Sequence, residues 1–236
     1  MHAHVMIVAA PGRLPRIEAG DGLAGRCTGP DTVHLVSTAA TPLGGDTLTV
    51  RLVVHADARL CLRTAAATMV LPGARSVQSS AQWELEVAGQ LDLDPQPTVV
   101  AGGSVHHTTT RLCLAETARV RIRERVQIGR TGETEGFWSS ALHADIESAP
   151  LLRHRIELGA GAVGDDELAR PRACISEFRY PEPGFEAQGT VLALAAGGSL
   201  ATWQGNQLPP ASQDAAFSDS WTAAAISSSS SIRVRA

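Results

Sequence analysis

Several polar residues in this sequence stand where their side chains could bind a metal ion or handle a proton. Glu124 shares one face of an alternating segment with four aliphatic residues, and His106 and His154 fall on similar inward-facing positions. A carboxylate inside a core costs several kcal/mol unless it is paired or hydrated. These side chains therefore either meet buried arginine and hydroxyl partners, which is the more frequent arrangement, or line a wet internal passage.

His2 and His4 form a second candidate for metal chemistry. They lie one strand step apart on the same side, where two imidazoles could chelate a borderline metal such as Ni²⁺ or Zn²⁺. Because the ends of a chain fray, a specific site at this position is the less favoured interpretation.

Other catalytic patterns are weak or missing. The segment Gly159 to Gly164 matches the dinucleotide-binding pattern GxGxxG, but Pro171 would stop the helix that this fold requires after about one turn. No GxSxG, HExxH or Walker pattern occurs, and the nearest serine to a histidine pair is Ser104. All 20 basic residues are arginine, so the absence of lysine excludes Schiff-base and P-loop chemistry. Hydrolase activity is therefore disfavoured.

Composition limits the kind of protein further. Of 236 residues, 44% are hydrophobic and 19% charged, which suits a globular core and excludes a disordered scaffold. The net charge of -4 and the scattered arginines give no nucleic-acid or anionic-membrane surface. The four cysteines form no CxxC pair, and the first ten residues predict a strand rather than a signal peptide. We expect a soluble, cytoplasmic protein with reduced cysteines.

The elements that position the polar residues are predicted to be β-strands. Alternation of period two dominates residues 32–158, and the segment from Arg119 to Ile128 shows it best, with three arginines opposite its apolar face. Strand-turn-strand blocks over 48–64, 83–95 and 111–124 recur at about 30 residues. We therefore predict a mainly β fold of stacked antiparallel hairpin layers, β-helical or β-solenoid-like, with a two-sheet sandwich as the alternative.

The rest of the chain gives few signals. A C-terminal helix is predicted over 211–222, whose Phe217 and Trp221 share a face that could dock a partner or fold back onto the core. A second short helix is predicted over 165–169. Residues 11–30 resemble a long loop and residues 227–236 a flexible tail, so we predict one domain over 1–236.

Several segments, taken in order, resemble the urease accessory proteins of the UreD type, also called UreH. They cover about residues 33 to 180, and their order and spacing carry the resemblance. Two departures are a compressed Gly-Glu spacing after Gly129-Arg130 and a poor match in the N-terminal arm and the C-terminal third. The segments are Thr41 to Asp46 with the strand after it, Thr64 to Thr68, Leu91 to Val100, Ala101 to Ser104, Glu124 to Arg130, and Pro150 to Leu152.

The resemblance implies a non-enzymatic chaperone for nickel insertion. Such proteins bind UreF, bind the GTPase UreG through it, and dock on apo-urease; nickel is in transit through an internal tunnel and is not tightly bound. On this basis Glu124, Asp46 and His106 are predicted to touch the nickel path. Asp46 could equally cap its turn, and Arg130 is expected to pair with a carboxylate rather than contact metal. The alternatives are a generic β-solenoid binding module and, less favoured, a hydrolase.

Overall fold

The computed structural model describes residues 1–40, 42–166 and 169–210, and these contain strands and turns but no helix. The strands are β1 (His2–Ala9), β2 (Arg16–Ala19), β3 (Leu23–Cys27), β4 (Thr32–Ser37), β5 (Thr47–Val54), β6 (Arg59–Thr64), β7 (Thr68–Val70), β8 (Gln78–Val87), β9 (Gln90–Leu93), β10 (Thr98–Val100), β11 (Val105–Leu114), β12 (Arg119–Ile128), β13 (Phe137–Ile146), β14 (Ala149–Gly159), β15 (Ala173–Tyr180), β16 (Thr190–Ala193) and β17 (Ser199–Gly205).

The strands wind into a β-solenoid of about four turns. A first sheet has the order β14-β13-β11-β8-β5-β1-β2, and a second has β16-β17-β15-β12-β9-β6-β4-β3. On a short third side, β7 pairs with β10, and β10 pairs with the end of β12. Because neighbouring strands pair in matching register, residues of the same type stack on one another. Leu52, Leu85 and Leu112, for example, lie side by side on three adjacent strands. The prediction of a mainly β, solenoid-like fold is confirmed.

The pairing inside the solenoid differs from the predicted antiparallel hairpin layers. β5 pairs in parallel with β1 and β8, whereas β6 pairs in parallel with β4 and β9, so the two strands of each block belong to different sheets. The tight turn between them is a corner of the coil. Corners stack closely: a Cβ on Gly89 would lie 2.3 Å from the Ala58 carbonyl oxygen of the turn below. Among the seventeen strands described, antiparallel pairing is confined to the two ends of the solenoid.

Two apolar clusters fill the interior. The larger one lies between the two sheets and includes Leu52, Leu85 and Ile122. The smaller one lies toward the third side and includes Val126 and Trp138. Because β12 contributes Ile122 to one cluster and Val126 to the other, the residue between them on the same face, Glu124, projects into the gap that separates the clusters.

Other sequence predictions need correction or fall outside the described residues. Residues 11–30 contain β2 and β3 rather than one long loop. In 165–169 the described residues Asp165, Asp166 and Ala169 form turns and bends, not a helix. The Gly159 to Gly164 segment is a turn, as preferred over dinucleotide binding, with Gly159 at φ 97° and Gly161 at φ 85°. The predicted helix over 211–222 and the tail over 227–236 lie outside the described residues.

Candidate functional site

An internal cavity of about 100 Å³ lies at the gap between the two apolar clusters. Glu124 of β12 faces it from one side, and His106, Thr108 and Thr110 of β11 face it from the other. Glu124 lies deep in the protein yet keeps accessible surface, because that surface borders the cavity. The remaining walls combine apolar residues such as Trp83 with polar ones, which include Arg123 and Arg125 on either side of Glu124. A space of this size with several polar groups can hold water.

Hydroxyl groups, rather than an arginine, are the hydrogen-bond partners of the Glu124 carboxylate. Ser140 of β13 and Thr108 both donate to it, and they are 6% and 8% exposed. Burial raises the pKa of Glu124 to about 7, although the two hydroxyl donors act in the opposite direction. Burial, and to a smaller extent the charge of Glu124, raises the pKa of the Cys174 thiol to about 12. Near neutral pH the cavity therefore offers a partly ionised carboxylate, whereas the Cys174 thiol stays protonated within the smaller apolar cluster.

His106 supplies a neutral imidazole to the same cavity. Its Nδ1 lies 2.9 Å from the Ser79 hydroxyl of β8, in a pair that is buried. Burial, with a smaller contribution from the charge of His107, lowers the pKa of His106 to about 4. The ring is therefore neutral at pH 7, and in the tautomer whose Nδ1–H donates to Ser79 Oγ the lone pair of Nε2 is left for a ligand.

A second cavity of about 200 Å³ adjoins the first. The two share five lining residues: Leu48, Thr64, Thr68, Ala81 and Trp83. The walls of the second cavity include residues at the protein surface, among them Ala66 and Val36. The first cavity likewise reaches an exposed residue at Gln96. The polar site at Glu124 is thus bordered by space that extends toward the surface.

Four of the six segments that carry the family resemblance line this cavity. Pro42 and Leu48 come from the first segment, and Thr64 and Thr68 from the second. The third segment contributes its Leu-Pro stretch, and the fifth contributes Glu124. The lining residues supplied by these segments are Pro42, Leu48, Thr64, Thr68, Leu93, Pro95, Gln96, Thr98, Glu124 and Arg125. Because they come from strands and corners of different turns, only the coil brings them together, and no local sequence pattern could show it.

Asp46 does not line this cavity and instead holds a turn beside it. Its Oδ2 accepts the Leu43 N–H at 2.8 Å and its Oδ1 accepts the Met1 amine at 2.6 Å. The turn is tightly packed, since a Cβ on Gly44 would lie 1.7 Å from the Ser76 carbonyl oxygen. The capping role that the sequence left open for Asp46 thus matches its observed contacts, and the same turn places Pro42 in the cavity wall.

Arg130 and His154 also lie away from the cavity. Arg130 Nε donates to Glu133 Oε1 at 2.9 Å, as its predicted pairing with a carboxylate requires. Glu133 Oε2 accepts the backbone N–H groups of Gly102 and Arg130, which joins two of the resemblance segments. These bonds, that from Arg130 first, lower the pKa of Glu133 to about 2. His154 is partly buried near the edge of the first sheet, where burial lowers its pKa.

A buried charged layer on the outer face of the second sheet escaped the sequence analysis. The arginines of β12 opposite its apolar face were expected to point away from the core, but Arg121 is only 6% exposed. Arg121 Nε lies 2.9 Å from Glu177 Oε1, and its Nη1 lies 3.3 Å from Asp92 Oδ1. Burial opposes ionisation of Glu177, but the Arg121 bond and charge outweigh it, so the pKa of Glu177 lies below its usual value. The available signal was the Asp92-x-Asp94 alternation, one solenoid period before the arginines.

The described residues contain neither a cluster of metal-binding side chains nor a membrane-spanning helix. Within the described ranges, no three His, Cys, Asp or Glu side chains come together in a group that could hold a metal ion. In the same part of the chain, no helix has the length and hydrophobicity that crossing a bilayer requires.

Comparison with known proteins identifies the family. The model of the UreD urease accessory protein family matches residues 22–236. Urease accessory protein UreD 1 of Saccharopolyspora erythraea is 38% identical over 190 residues, covering 77% of this chain and 74% of that protein. UreD of Frankia alni is 38% identical over 187 residues, covering 70% of this chain and 62% of the relative. Members of this family are accessory proteins and not enzymes, which disposes of the hydrolase alternative. The chain belongs to the UreD urease accessory protein family.

Proposed function

We propose that this chain is a urease maturation scaffold that passes nickel through its interior. In this role it couples a UreF-type protein, and through it a UreG-type GTPase, to apo-urease. The observation that carries the proposal is the cavity in which Glu124 faces hydroxyl groups, lined by four of the family segments. An acid among apolar walls is tolerable there because water and a travelling cation can share the space.

The chemistry of the cavity suits an ion in transit. Nickel accepts both the oxygen ligands and the neutral imidazole that Glu124 and His106 offer. The other polar residues of the wall include threonines such as Thr108, whose hydroxyls bind a metal weakly without ionisation. Arg123 and Arg125 also line the cavity, and their guanidinium groups are paired with Glu177 and Asp94. A set of one carboxylate, one imidazole and hydroxyls can lower the barrier to passage without trapping the ion. Of the three residues predicted to touch the path, Glu124 and His106 contact the ion, and Asp46 contributes by holding the turn that places Pro42 in the cavity wall.

The route continues into the second cavity past Ala81, which lines both spaces from β8. The small side chain at this point leaves the connection open. Leucine at the same position would add three heavy atoms to the junction, in a region with room to receive them. Ala81 is thus the position where the passage can be plugged with little effect on the fold.

The test is urease activation in cells that express the urease structural and accessory proteins with this chain or a variant of it. Glu124→Gln is nearly isosteric and is expected to lower urease activity at limiting nickel, and Ala81→Leu is expected to lower it further. Glu84→Gln on β8 and Ala141→Leu on β13 are the matched controls, since both side chains lie on the outer face of the first sheet. Full activation by both cavity variants, with normal protein levels, would refute the internal path.

Partner coupling needs a separate measurement. The wild-type chain and both cavity variants are expected to co-purify with UreF-type and urease subunits, because the substitutions are internal. Loss of activation together with loss of co-purification would assign the defect to assembly rather than to passage of nickel. Failure of the wild-type chain to bind either partner would contradict the scaffold role.

A further inference from the structure

We propose that His2 and His4 form a surface site for a divalent transition-metal ion, independent of the internal cavity. Both histidines are exposed and lie on the outer face of the first sheet, since β1 alternates exposed and buried residues from His2 onward. Side chains two residues apart on a strand project from the same face, so both rings stand over one patch of the surface. The site is made by one rigid strand of the solenoid rather than by a loop.

The ring geometry is close to what chelation requires. The ring centroids are 6.5 Å apart and the ring planes are inclined by 31°. With metal–nitrogen bonds of about 2.1 Å, two imidazoles on one ion have centroids roughly 4.5 to 6.5 Å apart, depending on the angle at the metal. The observed separation equals the upper end of this range, which corresponds to a linear arrangement at the metal. Chelation at a tetrahedral angle therefore requires the His2 ring to move about 1 Å closer to His4.

Packing against Gly20 restrains the His4 ring. A Cβ at Gly20 would lie 2.1 Å from His4 Cε1 and 2.5 Å from its Nδ1, so the ring occupies space that only glycine leaves open. The Gly20 N–H donates to the His4 carbonyl oxygen at 2.9 Å, which fixes the neighbouring backbone beneath the ring. A ligand held in this way loses less conformational entropy when the metal binds.

In the part of the chain that the structure describes, no third His, Cys, Asp or Glu side chain joins the two imidazoles. The α-amine of Met1 is engaged with Asp46 at 2.6 Å. Glu18, on the adjacent strand β2, is engaged with Arg16 at 2.6 Å. Water would complete the coordination sphere, so binding should be weaker than at a structural site with four protein ligands. Imidazole nitrogen favours Cu²⁺ over Ni²⁺ and Zn²⁺, these over Mn²⁺, and offers little to Mg²⁺.

The experiment is a Zn²⁺ titration of the full chain, followed by NMR of the histidine rings because Zn²⁺ is diamagnetic. The Glu124→Gln background removes the acid of the internal cavity. We expect Zn²⁺ to shift the His2 and His4 ring signals together, and His4→Gln or His2→Gln to weaken binding by about tenfold or more, since even the loss of an outer partner costs that much. His143→Gln is the control, because His143 is exposed on β13 of the same sheet.

Two results would overturn the proposal. One is that other histidines shift at lower Zn²⁺ concentrations than the His2 and His4 rings do, or that these two rings do not shift at all. The other is unchanged affinity in His4→Gln, which would place the metal on His2 and backbone groups instead. Equal weakening by His143→Gln would show unspecific binding to exposed histidines and would also contradict the site.

Discussion

Removal of Arg121 tests whether the charged layer on the outer face of the second sheet holds β9, β12 and β15 together. In Arg121→Met an unbranched apolar side chain of similar length replaces the guanidinium, and the substitution leaves its two carboxylate partners in place. Glu177 and Asp92 are 6% and 5% exposed, so neither can recover full hydration without a structural shift. The variant should therefore unfold more readily than the wild-type protein.

The size of the effect follows from the partners that remain. Breaking a buried ion pair by removing one partner typically costs about 3–5 kcal/mol. Glu177 keeps Arg179 at 2.7 Å and Asp92 keeps Arg63, so we expect the lower end, about 3 kcal/mol. The pKa of Glu177 in the folded protein lies below its usual value, so its contribution to stability is present at neutral pH and lost as the pH falls through that pKa. The difference between variant and wild type should accordingly shrink in acid.

The assay is urea denaturation at neutral and acidic pH, with the free energy of unfolding taken from each transition. Arg155→Met is the control, because the Arg155 side chain is 68% exposed in its pair with Glu157 and should contribute about 0.5 kcal/mol or less. Adding Glu177→Gln to Arg121→Met should restore about 1 kcal/mol or more, although Glu177→Gln alone destabilises. A loss below about 1 kcal/mol in Arg121→Met, or no recovery in the double variant, would refute a stabilising buried layer.

Three further predictions concern single positions. Gly129→Ala should lower the free energy of unfolding by about 2 kcal/mol or more, because φ is 80° and the new Cβ would lie 2.0 Å from the Glu133 carbonyl oxygen. Gly132→Ala is the control: φ is 81° but the new Cβ meets open space, so the loss should be about 1 kcal/mol in the same denaturation assay. Burial raises the pKa of Glu124 from 4.5 to about 7 in the folded state, so ionisation of this side chain opposes folding as the pH rises. Glu124→Gln should therefore leave the free energy of unfolding almost unchanged in acid and increase it by up to about 3 kcal/mol above pH 7. An effect of the substitution that does not depend on pH would contradict this. A thiol reagent should modify the two exposed cysteines in the native protein and reach the buried Cys61 and Cys174 only on unfolding.

The alternation of single strands was readable from the sequence, and it placed Glu124 correctly on an inward face. The pairing of strands was not, because a strand, a tight turn and a strand look the same whether the turn closes a hairpin or forms a corner of a coil. The spacing of about 30 residues held the needed information, since Arg59, Gln90 and Arg119 begin successive strands of one sheet. That spacing implies parallel stacking of like elements once the coil is assumed.

Only part of the candidate site could be predicted from the sequence, again because the site depends on how the strands stack. Periodicity indicated that Glu124 and His106 point inward, but only the three-dimensional coil shows that they face the same cavity. Asp46 precedes a strand after two glycines, and the sequence could not distinguish a ligand from a turn cap. Strand alternation placed Arg121 opposite the apolar face of β12 but gave no sign that this second face is also buried, because the burial arises from paired charges on neighbouring strands.

The most direct test of the internal path is a high-resolution crystal structure of the wild-type chain, in which ordered water can be located around Glu124. We expect water hydrogen-bonded to the Glu124 carboxylate and a continuing file of water past Ala81 into the second cavity. A dry, filled space between β11 and β12, or a Glu124 side chain turned onto an arginine, would contradict it.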